Sequence, residues 1–253
     1  MIRFSVCIEP LWKEKSVEEK IKGVKKAGFA AFEFWGWKNK NIEGILKVKE
    51  ETGLETSAFC FEPNFCLTAD GNEAELLKGI AESAKTAHLL KCRNLIVTTG
   101  DVVADESFEV TRRKVVRKLK QMTKAAEDNN VTLVLEPLNP VINHKGYWLT
   151  RSADAVDIVT EIGSPNLKIL FDIYHQQVTE GNILHNIGRY ISFIGHFHSA
   201  GVPGRNELEG GELNYGNIFT AIDKMGYKGF IGLEFMPKTN EETALKQVLS
   251  LGK

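Results

Sequence analysis

The sequence lacks the long apolar runs that a membrane-spanning segment needs. No run approaches the ~20 consecutive apolar residues that cross a bilayer as a helix, although 43% of the 253 residues are hydrophobic, which is ordinary for a globular protein. The first residues, MIRFSVCIEP, also lack the apolar core and cleavage site of a secretory signal peptide. We therefore expect a soluble, cytoplasmic protein with no membrane partner.

An excess of charge of either sign is also missing. The 32 basic residues are balanced by 33 acidic ones, so the formal net charge is −1. No basic stripe stands out, and nucleic acid is therefore not expected as a partner. The cysteines are few: Cys7, Cys60, Cys66 and Cys92. Their spacing matches neither a zinc site nor a redox motif, so we expect them to be reduced, chiefly core, residues.

The sequence has no low-complexity segment, charged tail or Pro- and Gly-rich linker, which indicates one domain over residues 1–253. What it contains is a buried apolar strand followed by an amphipathic helix, repeated eight times. This alternation predicts a parallel sheet, and eight units in a chain of this length match a closed (β/α)₈ TIM barrel. A doubly wound open sheet is the alternative, although no Gly-x-Gly-x-x-Gly follows the first strand.

Four of the predicted strands end in a residue that can bind a metal ion. VTLVLEP carries Glu136, LKILFDI carries Asp172, SFIGHFH ends in His198, and FIGLEF carries Glu234. A carboxylate at the tip of a buried strand is costly to desolvate unless a cation or hydrogen-bond donors meet it. In a barrel the ends of strands five to eight are neighbours on the catalytic rim. We therefore expect these four side chains to converge.

Three carboxylates and one imidazole form a hard, oxygen-rich ligand set. Such a set suits Mn²⁺, Mg²⁺ or Co²⁺ with open positions for a substrate better than it suits a closed structural zinc site. The ion would polarise a substrate carbonyl and stabilise an enediolate, while Glu136 and Glu234 act as base and acid at the neighbouring carbon. The alternative is that each acid caps a nearby backbone or pairs with a lysine.

Two further residues near this rim have open interpretations. Glu33, at the end of the second predicted strand, could face the site, and a structural hydrogen bond is the simpler interpretation. His196 is expected to point away from His198 and to lie in the core or between the barrel and its helices.

Two loop residues are candidates for contacts with the substrate. Arg205 offers a guanidinium that suits a keto-acid carboxylate through a bidentate contact. The alternative is an arginine on the surface, free or held by a glutamate of its own loop, which is Glu207, Glu209 or Glu212. His144, in the loop after strand five, could reach the substrate, and a solvated or loop-packing histidine is the alternative.

Aromatic residues follow the first three predicted strands and could form an apolar wall that excludes water from the site. Packing under loops explains them equally well. These residues are Trp12, Trp35, Trp37, Phe61 and Phe65.

The sequence resembles the hydroxypyruvate isomerase group of the xylose-isomerase-like barrels, which also includes ketose 3-epimerases and 2-oxo-tetronate isomerases. The resembling stretches are EPLNPVINHKGYWL (136–149), PNLKILFDIYHQQ (165–177), IGHFHSAGVPGRNELEGGELNYGNIF (194–219) and GYKGFIGLEFMP (226–237). They cover the C-terminal half densely and the N-terminal half only through its architecture.

The resemblance implies that the four strand-end residues bind the divalent metal and that Glu136 and Glu234 are the catalytic pair. It also implies that His175 binds a substrate oxygen and that Arg205 binds the far end of the substrate. Hydroxypyruvate isomerases often carry Gln at the position of His198, whereas the 3-epimerases carry His there. The loop with VPGR and GELNY is similar to that of the hydroxypyruvate type.

We therefore expect a metal-dependent isomerase that acts on hydroxypyruvate, tartronate semialdehyde or a related 2-oxo sugar acid. The alternative is a ketose 3-epimerase of the tagatose, psicose or ribulose type, which would use the same metal and glutamate pair. An apurinic-site endonuclease on a related barrel is disfavoured, because it would need more histidines in the N-terminal half. A non-catalytic sugar-binding barrel is a further hypothesis. Relatives with this barrel are often dimers or tetramers, so the resemblance implies a homo-oligomer.

Overall fold

The computed structural model describes residues 2–64 and 66–251. Its parallel strands close into one barrel in sequence order, because β1 pairs with both β2 and β8. The strands are β1 (Arg3–Cys7), β2 (Ala31–Phe34), β3 (Glu55–Cys60), β4 (Asn94–Val97), β5 (Thr132–Leu135), β6 (Leu167–Asp172), β7 (Ile194–Ser199) and β8 (Phe230–Leu233). The predicted (β/α)₈ barrel is confirmed, and the open sheet is excluded.

Amphipathic helices surround this barrel. They are α1 (Val17–Lys26), α2 (Ile42–Thr52), α3 (Glu73–Leu90), α4 (Phe108–Asp128), α5 (Ser152–Ile162), α6 (Ile173–Thr179), α7 (Ile183–Tyr190), α8 (Tyr215–Lys224) and α9 (Glu241–Leu251). Helix α1 begins with a capping box, in which Ser16 accepts a hydrogen bond from the Glu19 N–H and the Glu19 carboxylate accepts one from the Ser16 N–H. Among the described residues, no helix is both long and apolar enough to cross a membrane.

The interior of the barrel has an apolar side and a polar side. On β3 to β6, an inner cluster of Ala58, Ile96, Val134 and Leu170 is almost completely buried. Glu33 on β2 and His196 on β7 form the buried polar side. The main hydrophobic core lies between the strands and the helices, and all four cysteines are unpaired, with Cys7 and Cys92 buried.

The stretch LKILFDIYHQQ is not a strand throughout. Strand β6 ends at Asp172, and helix α6 begins at the next residue. The Asp172 carboxylate accepts hydrogen bonds from the N–H groups of Tyr174 and His175, which makes it the N-cap of α6. The apolar run dominated the sequence interpretation, and this short helix was missed.

Candidate metal centre and its cavity

The carboxyl ends of β5 to β8 bring four potential metal ligands together. Glu136 and Glu234 directly follow β5 and β8, Asp172 ends β6, and His198 lies near the end of β7. Each side chain offers one ligand atom, and these four atoms all lie within 4.8 Å of one another. All four residues are buried. The convergence expected from the sequence is therefore present in the structure.

The backbone of α6 fixes the orientation of Asp172. Its Oδ1 atom accepts hydrogen bonds from the backbone N–H groups of Tyr174 at 2.8 Å and His175 at 3.1 Å. Because Oδ1 is occupied in this way, Oδ2 is the atom left for the centre of the cluster. The alternative in which an acid caps a nearby backbone is thus true of one oxygen of Asp172, and it leaves the second oxygen available to an ion.

The ring of His198 lies among carboxylates in an arrangement that could hold a cation. Its buried Nδ1 atom has no hydrogen-bond partner, and it lies 3.2 Å from Oε2 of Glu234 and 3.5 Å from Oε1 of Glu136. Burial alone would lower the pKa of His198, but the carboxylates of Glu33 and Glu234 outweigh it and raise this pKa well above its usual value. Nδ1 thus faces two carboxylates at a distance at which a shared proton or a metal ion would stabilise the cluster. Three carboxylates and an imidazole fit a hard divalent ion.

The two glutamates differ in their surroundings. Burial raises the pKa of Glu136 to about 7. Burial acts on Glu234 in the same direction, but Arg205 and His198 outweigh it and hold the pKa of Glu234 well below its usual value. In the absence of an ion, one carboxyl group is therefore close to titrating at neutral pH while its neighbour stays ionised.

Glu234 is held through both of its oxygens. Arg205 donates a hydrogen bond from Nη2 to Oε2 at 2.6 Å, and the indole N–H of Trp35 donates to Oε1 at 2.7 Å. The Arg205 side chain is 11% exposed. The interpretation of Arg205 as a surface residue held by a glutamate of its own loop is therefore wrong, because its partner is a strand-end carboxylate of the cluster.

A cavity of about 380 Å³ opens beside the cluster. Glu136, His198 and Glu234 line it together with the three residues expected to contact a substrate, which are His144, His175 and Arg205. The structure therefore brings the substrate candidates to the same cavity as the potential ligands, and their roles remain predictions.

His175 is buried and has a defined tautomer. Its Nδ1 atom accepts a hydrogen bond from the backbone N–H of Asn139 at 3.2 Å, so the proton of the neutral ring is on Nε2. Burial lowers the pKa of His175 to about 4, and the ring is neutral at physiological pH. The Nε2 atom has no hydrogen-bond partner and lies 3.6 Å from Oδ2 of Asp172. It is therefore a free donor for an oxygen of a ligand.

His144 lies near His175 on the cavity wall. The two ring centroids are 5.2 Å apart. Burial lowers the pKa of His144, and the charge of Arg205 lowers it further. The side chain is only half-buried. It is therefore a neutral wall residue that a ligand in the cavity can contact.

Behind the cluster, Glu33 contacts both histidines of β7. Its Oε2 lies 2.9 Å from Nε2 of His196, and its Oε1 lies 2.9 Å from Nε2 of His198. The expectation that His196 points away from His198 is wrong, because residues two apart in a strand face the same side. The hydrogen-bonding interpretation of Glu33 is correct, since it bonds Ser57 and His196, although its close contact with His198 was not foreseen.

The aromatic residues after β1 to β3 divide into two groups. Of the four that the structure describes, Trp35 lines the cavity. Trp12 packs against Gly23 of α1, and the indole N–H of Trp37 donates to Ser83 of α3. Phe61 is buried, and Phe65 lies outside the described residues. Trp35 is therefore placed on the cavity wall, although it is 41% exposed, and a water-excluding role stays a prediction; packing accounts for Trp12, Trp37 and Phe61.

Comparisons of the sequence identify related proteins. A family model described as "Xylose isomerase-like TIM barrel" matches residues 21–252. The 2-oxo-tetronate isomerase of Cupriavidus necator is 30% identical over 253 residues, which are 97% of this chain and 96% of that protein. A putative hydroxypyruvate isomerase of Danio rerio is 30% identical over 240 residues, which are 90% of this chain and 87% of that protein.

Solved structures show the same fold. A Brucella melitensis protein described as an AP endonuclease, family 2, superposes with a TM-score of 0.93 at 24% identity, and 99% of each chain is covered. The IOLI protein, solved with a bound zinc atom, superposes with a TM-score of 0.80 at 12% identity over 99% of this chain and 96% of that one. At these identities the likeness shows the fold alone.

Proposed function

The chain belongs to the xylose isomerase-like TIM barrel family, and on this basis we propose that it is a metal-dependent isomerase of a small keto acid or 2-oxo sugar acid. The observation that carries the proposal is that Glu136 and Glu234 are both potential ligands of one ion and wall residues of one cavity. A substrate in this cavity meets two carboxylates that can exchange protons with it. The full-length relatives named as 2-oxo-tetronate and hydroxypyruvate isomerases support the substrate class.

A divalent ion held by the four strand-end residues would supply positive charge where negative charge develops on a substrate oxygen. Glu136 and Glu234 would then remove the proton from the hydroxyl-bearing carbon beside the carbonyl and return it to the former carbonyl carbon, while the hydroxyl proton passes to the former carbonyl oxygen. His175 would orient the substrate by donating from Nε2, which has no partner in the protein. Arg205 would bind the substrate carboxylate, since its guanidinium has further N–H donors beside the one that contacts Glu234.

A ketose 3-epimerase is the second candidate function. A cavity of about 380 Å³ leaves room for a substrate longer than three carbons, and an imidazole ligand at position 198 matches the sequence expectation for that group. Both reactions need the same ion and the same pair of glutamates. They differ in the carbon that receives the proton.

Isotope exchange separates these functions. The protein with Mn²⁺ would be incubated in deuterated water with hydroxypyruvate, a four-carbon 2-oxo acid and two ketohexoses, and the products analysed by NMR. The isomerase proposal expects interconversion of an acid substrate, with deuterium on the carbon next to its carbonyl. Deuterium at C3 of a ketohexose with inversion would support the epimerase. If none of these compounds were converted with Mn²⁺, Mg²⁺ or Co²⁺, the proposal would be contradicted.

A further inference from the structure

We propose that Glu33 is a positioning residue that fixes the tautomer and orientation of His198, so that Nδ1 of this ring is presented to the metal ion. Glu33 belongs to β2 and reaches His198 on β7 across the barrel interior. The proposal rests on the proposed function only in so far as that function requires an ion at the cluster. It gives a buried acid of the N-terminal half a defined part in forming the site.

The contacts of Glu33 determine where the protons of the histidines lie. An ionised carboxylate only accepts hydrogen bonds, and Glu33 is 1% exposed, so it cannot turn to water. Its Oε2 accepts a hydrogen bond from Oγ of Ser57 at 2.7 Å and lies 2.9 Å from Nε2 of His196. Its Oε1 lies 2.9 Å from Nε2 of His198. The contact to His198 is a close ion pair rather than a hydrogen bond of good geometry. The negative charge of Glu33 nevertheless favours a proton on each Nε2 atom.

The proton on Nε2 leaves Nδ1 of His198 as the nitrogen that can bind a metal. This Nδ1 lies on the side of Glu136 and Glu234, at 3.5 and 3.2 Å from their oxygens. In the opposite tautomer, the lone pair of Nε2 would face the Glu33 carboxylate at 2.9 Å, which is repulsive. Histidines that bind metals commonly donate their second N–H to a carboxylate, which sets ring orientation and ligand basicity.

Strand β8 leaves room for this contact. A Cβ atom at Gly232 would collide with Oε1 of Glu33 and with Cδ2 of His198. Every other residue would therefore push the carboxylate and the ring apart. The absence of a side chain at this position is an observation independent of the distances between Glu33 and the two rings, and it points to the same pair.

A second ion at Glu33, His196 and His198 is the competing explanation, because these residues also offer ligand atoms within 4.8 Å of one another. Direct contacts of 2.9 Å from Glu33 to both rings leave no space for an ion between them. Metal stoichiometry distinguishes this explanation from the proposal.

The test is a Co²⁺ titration of the metal-free protein and of Glu33→Gln, followed by visible absorption. Gln can accept from one Nε2–H, but its NH₂ group would face the second Nε2–H, so one contact is lost. We expect Co²⁺ affinity to fall about 10- to 100-fold, with a changed spectrum. Glu33→Asp keeps the charge but shortens the reach to His198, so it should also weaken Co²⁺ binding, and it tests the proposal if Glu33→Gln does not fold.

Lys118→Met is the matched control. Lys118 is also a buried polar residue, and its Nζ donates to Asn72 at 2.6 Å near the start of α3, away from the cluster. This variant can lose stability without losing Co²⁺ affinity. A lower affinity in Glu33→Gln together with an unchanged affinity in Lys118→Met would separate positioning from a general loss of stability.

Two results would overturn the inference. One is a Glu33→Gln protein that binds Co²⁺ within about twofold of the wild type with the same spectrum, against the 10- to 100-fold loss expected above. The other is a wild type that binds two Co²⁺ ions and a variant that keeps one at full affinity. A wild type that binds no Co²⁺ would refute the proposed function itself, and the inference with it. A failure of the Glu33 inference can therefore be distinguished from a failure of the proposed function.

Discussion

The two halves of the barrel rim contribute different chemistry to the same cavity. Strands β5 to β8 provide the four potential ligands and the loop that carries Arg205. Strands β1 to β4 provide mostly apolar or uncharged wall residues, among them Cys60, Ile96 and Thr98. The charge of the site is thus concentrated on one half of the rim.

The N-terminal half nevertheless contacts two of the potential ligands of the other half. The indole N–H of Trp35 binds one oxygen of Glu234, and Glu33 contacts the ring of His198. Each of these residues acts on a ligand that lies about 160 or more positions away in sequence, since the separations are 199 (234 − 35) and 165 (198 − 33). The comparison indicates that one half supplies the candidate ligands and that residues of the other half contact them.

The largest expected effect is on the C-terminal half. Glu234→Gln keeps the size of the side chain but removes the carboxylate that we propose acts as a base and a metal ligand, and we expect turnover to fall by about 10²- to 10⁴-fold. The control is Glu207→Gln, because Glu207 binds the backbone N–H groups of Lys238 and Thr239 and does not belong to the cluster. Equal turnover in both variants, measured with saturating substrate, would remove Glu234 from the catalytic pair.

The pH dependence of stability should reveal Glu136. Burial raises its pKa from 4.5 to about 7, so between these values the folded protein holds a proton that the unfolded chain has lost. This contribution to stability is complete below the usual pKa and is lost as the pH rises through about 7. Relative to Glu136→Gln, the metal-free wild type should lose about 3 kcal/mol between pH 4.5 and 8. Urea unfolding of both proteins in the presence of a chelator measures this loss of stability. If the free energy of unfolding changed with pH in the same way in both proteins, the raised pKa of Glu136 would be contradicted.

Stabilisation of the fold by a bound ion should depend on the C-terminal half of the rim. At 100 times its dissociation constant, Mn²⁺ should stabilise the wild type by about 2.7 kcal/mol. Asp172→Asn should lose most of this effect, although Asn still caps α6 through its carbonyl oxygen. Glu62→Gln, on the opposite wall of the cavity, should keep it. Thermal unfolding with and without Mn²⁺ provides the measurement. Equal shifts of the unfolding temperature in both variants would refute the idea that only the C-terminal half of the rim binds the ion.

The smallest expected effect concerns the N-terminal half. Trp35→Phe keeps an aromatic wall but removes the N–H that binds Glu234, and we expect kcat/KM to fall about tenfold, since a hydrogen bond to a charged group contributes about 1.5 kcal/mol or more. Trp37→Phe is the matched control, because its N–H binds Ser83 instead. If both variants kept full activity, orientation by the N-terminal half would not matter for turnover.

The fold was predictable because the local sequence pattern repeats. Each strand is a short apolar run, and several helices have a polar face and end signals, such as the capping box at Ser16. The positions of Glu136, Asp172, His198 and Glu234 followed from the barrel itself, since strand ends share one rim. Their convergence required no knowledge of side-chain conformations.

The remaining parts of the site depend on contacts that no local pattern encodes. The pairing of Arg205 with Glu234, and of Trp35 with the same carboxylate, is set by how two loops fold over the rim. Glu33 reaches His198 only because the barrel closes and brings β7 near β2, with β8 and β1 between them. The error over His196 was of another kind, because correct use of strand alternation places it beside His198.

The N-cap of α6 couples the binding of an ion to the binding of a substrate. One oxygen of Asp172 is bound to the backbone of His175, so a candidate ion ligand and a candidate substrate donor belong to one rigid turn. An ion that binds Asp172 and orders this turn would therefore raise the affinity of the protein for its substrate. By thermodynamic reciprocity, bound substrate would then raise the affinity for the ion by the same factor.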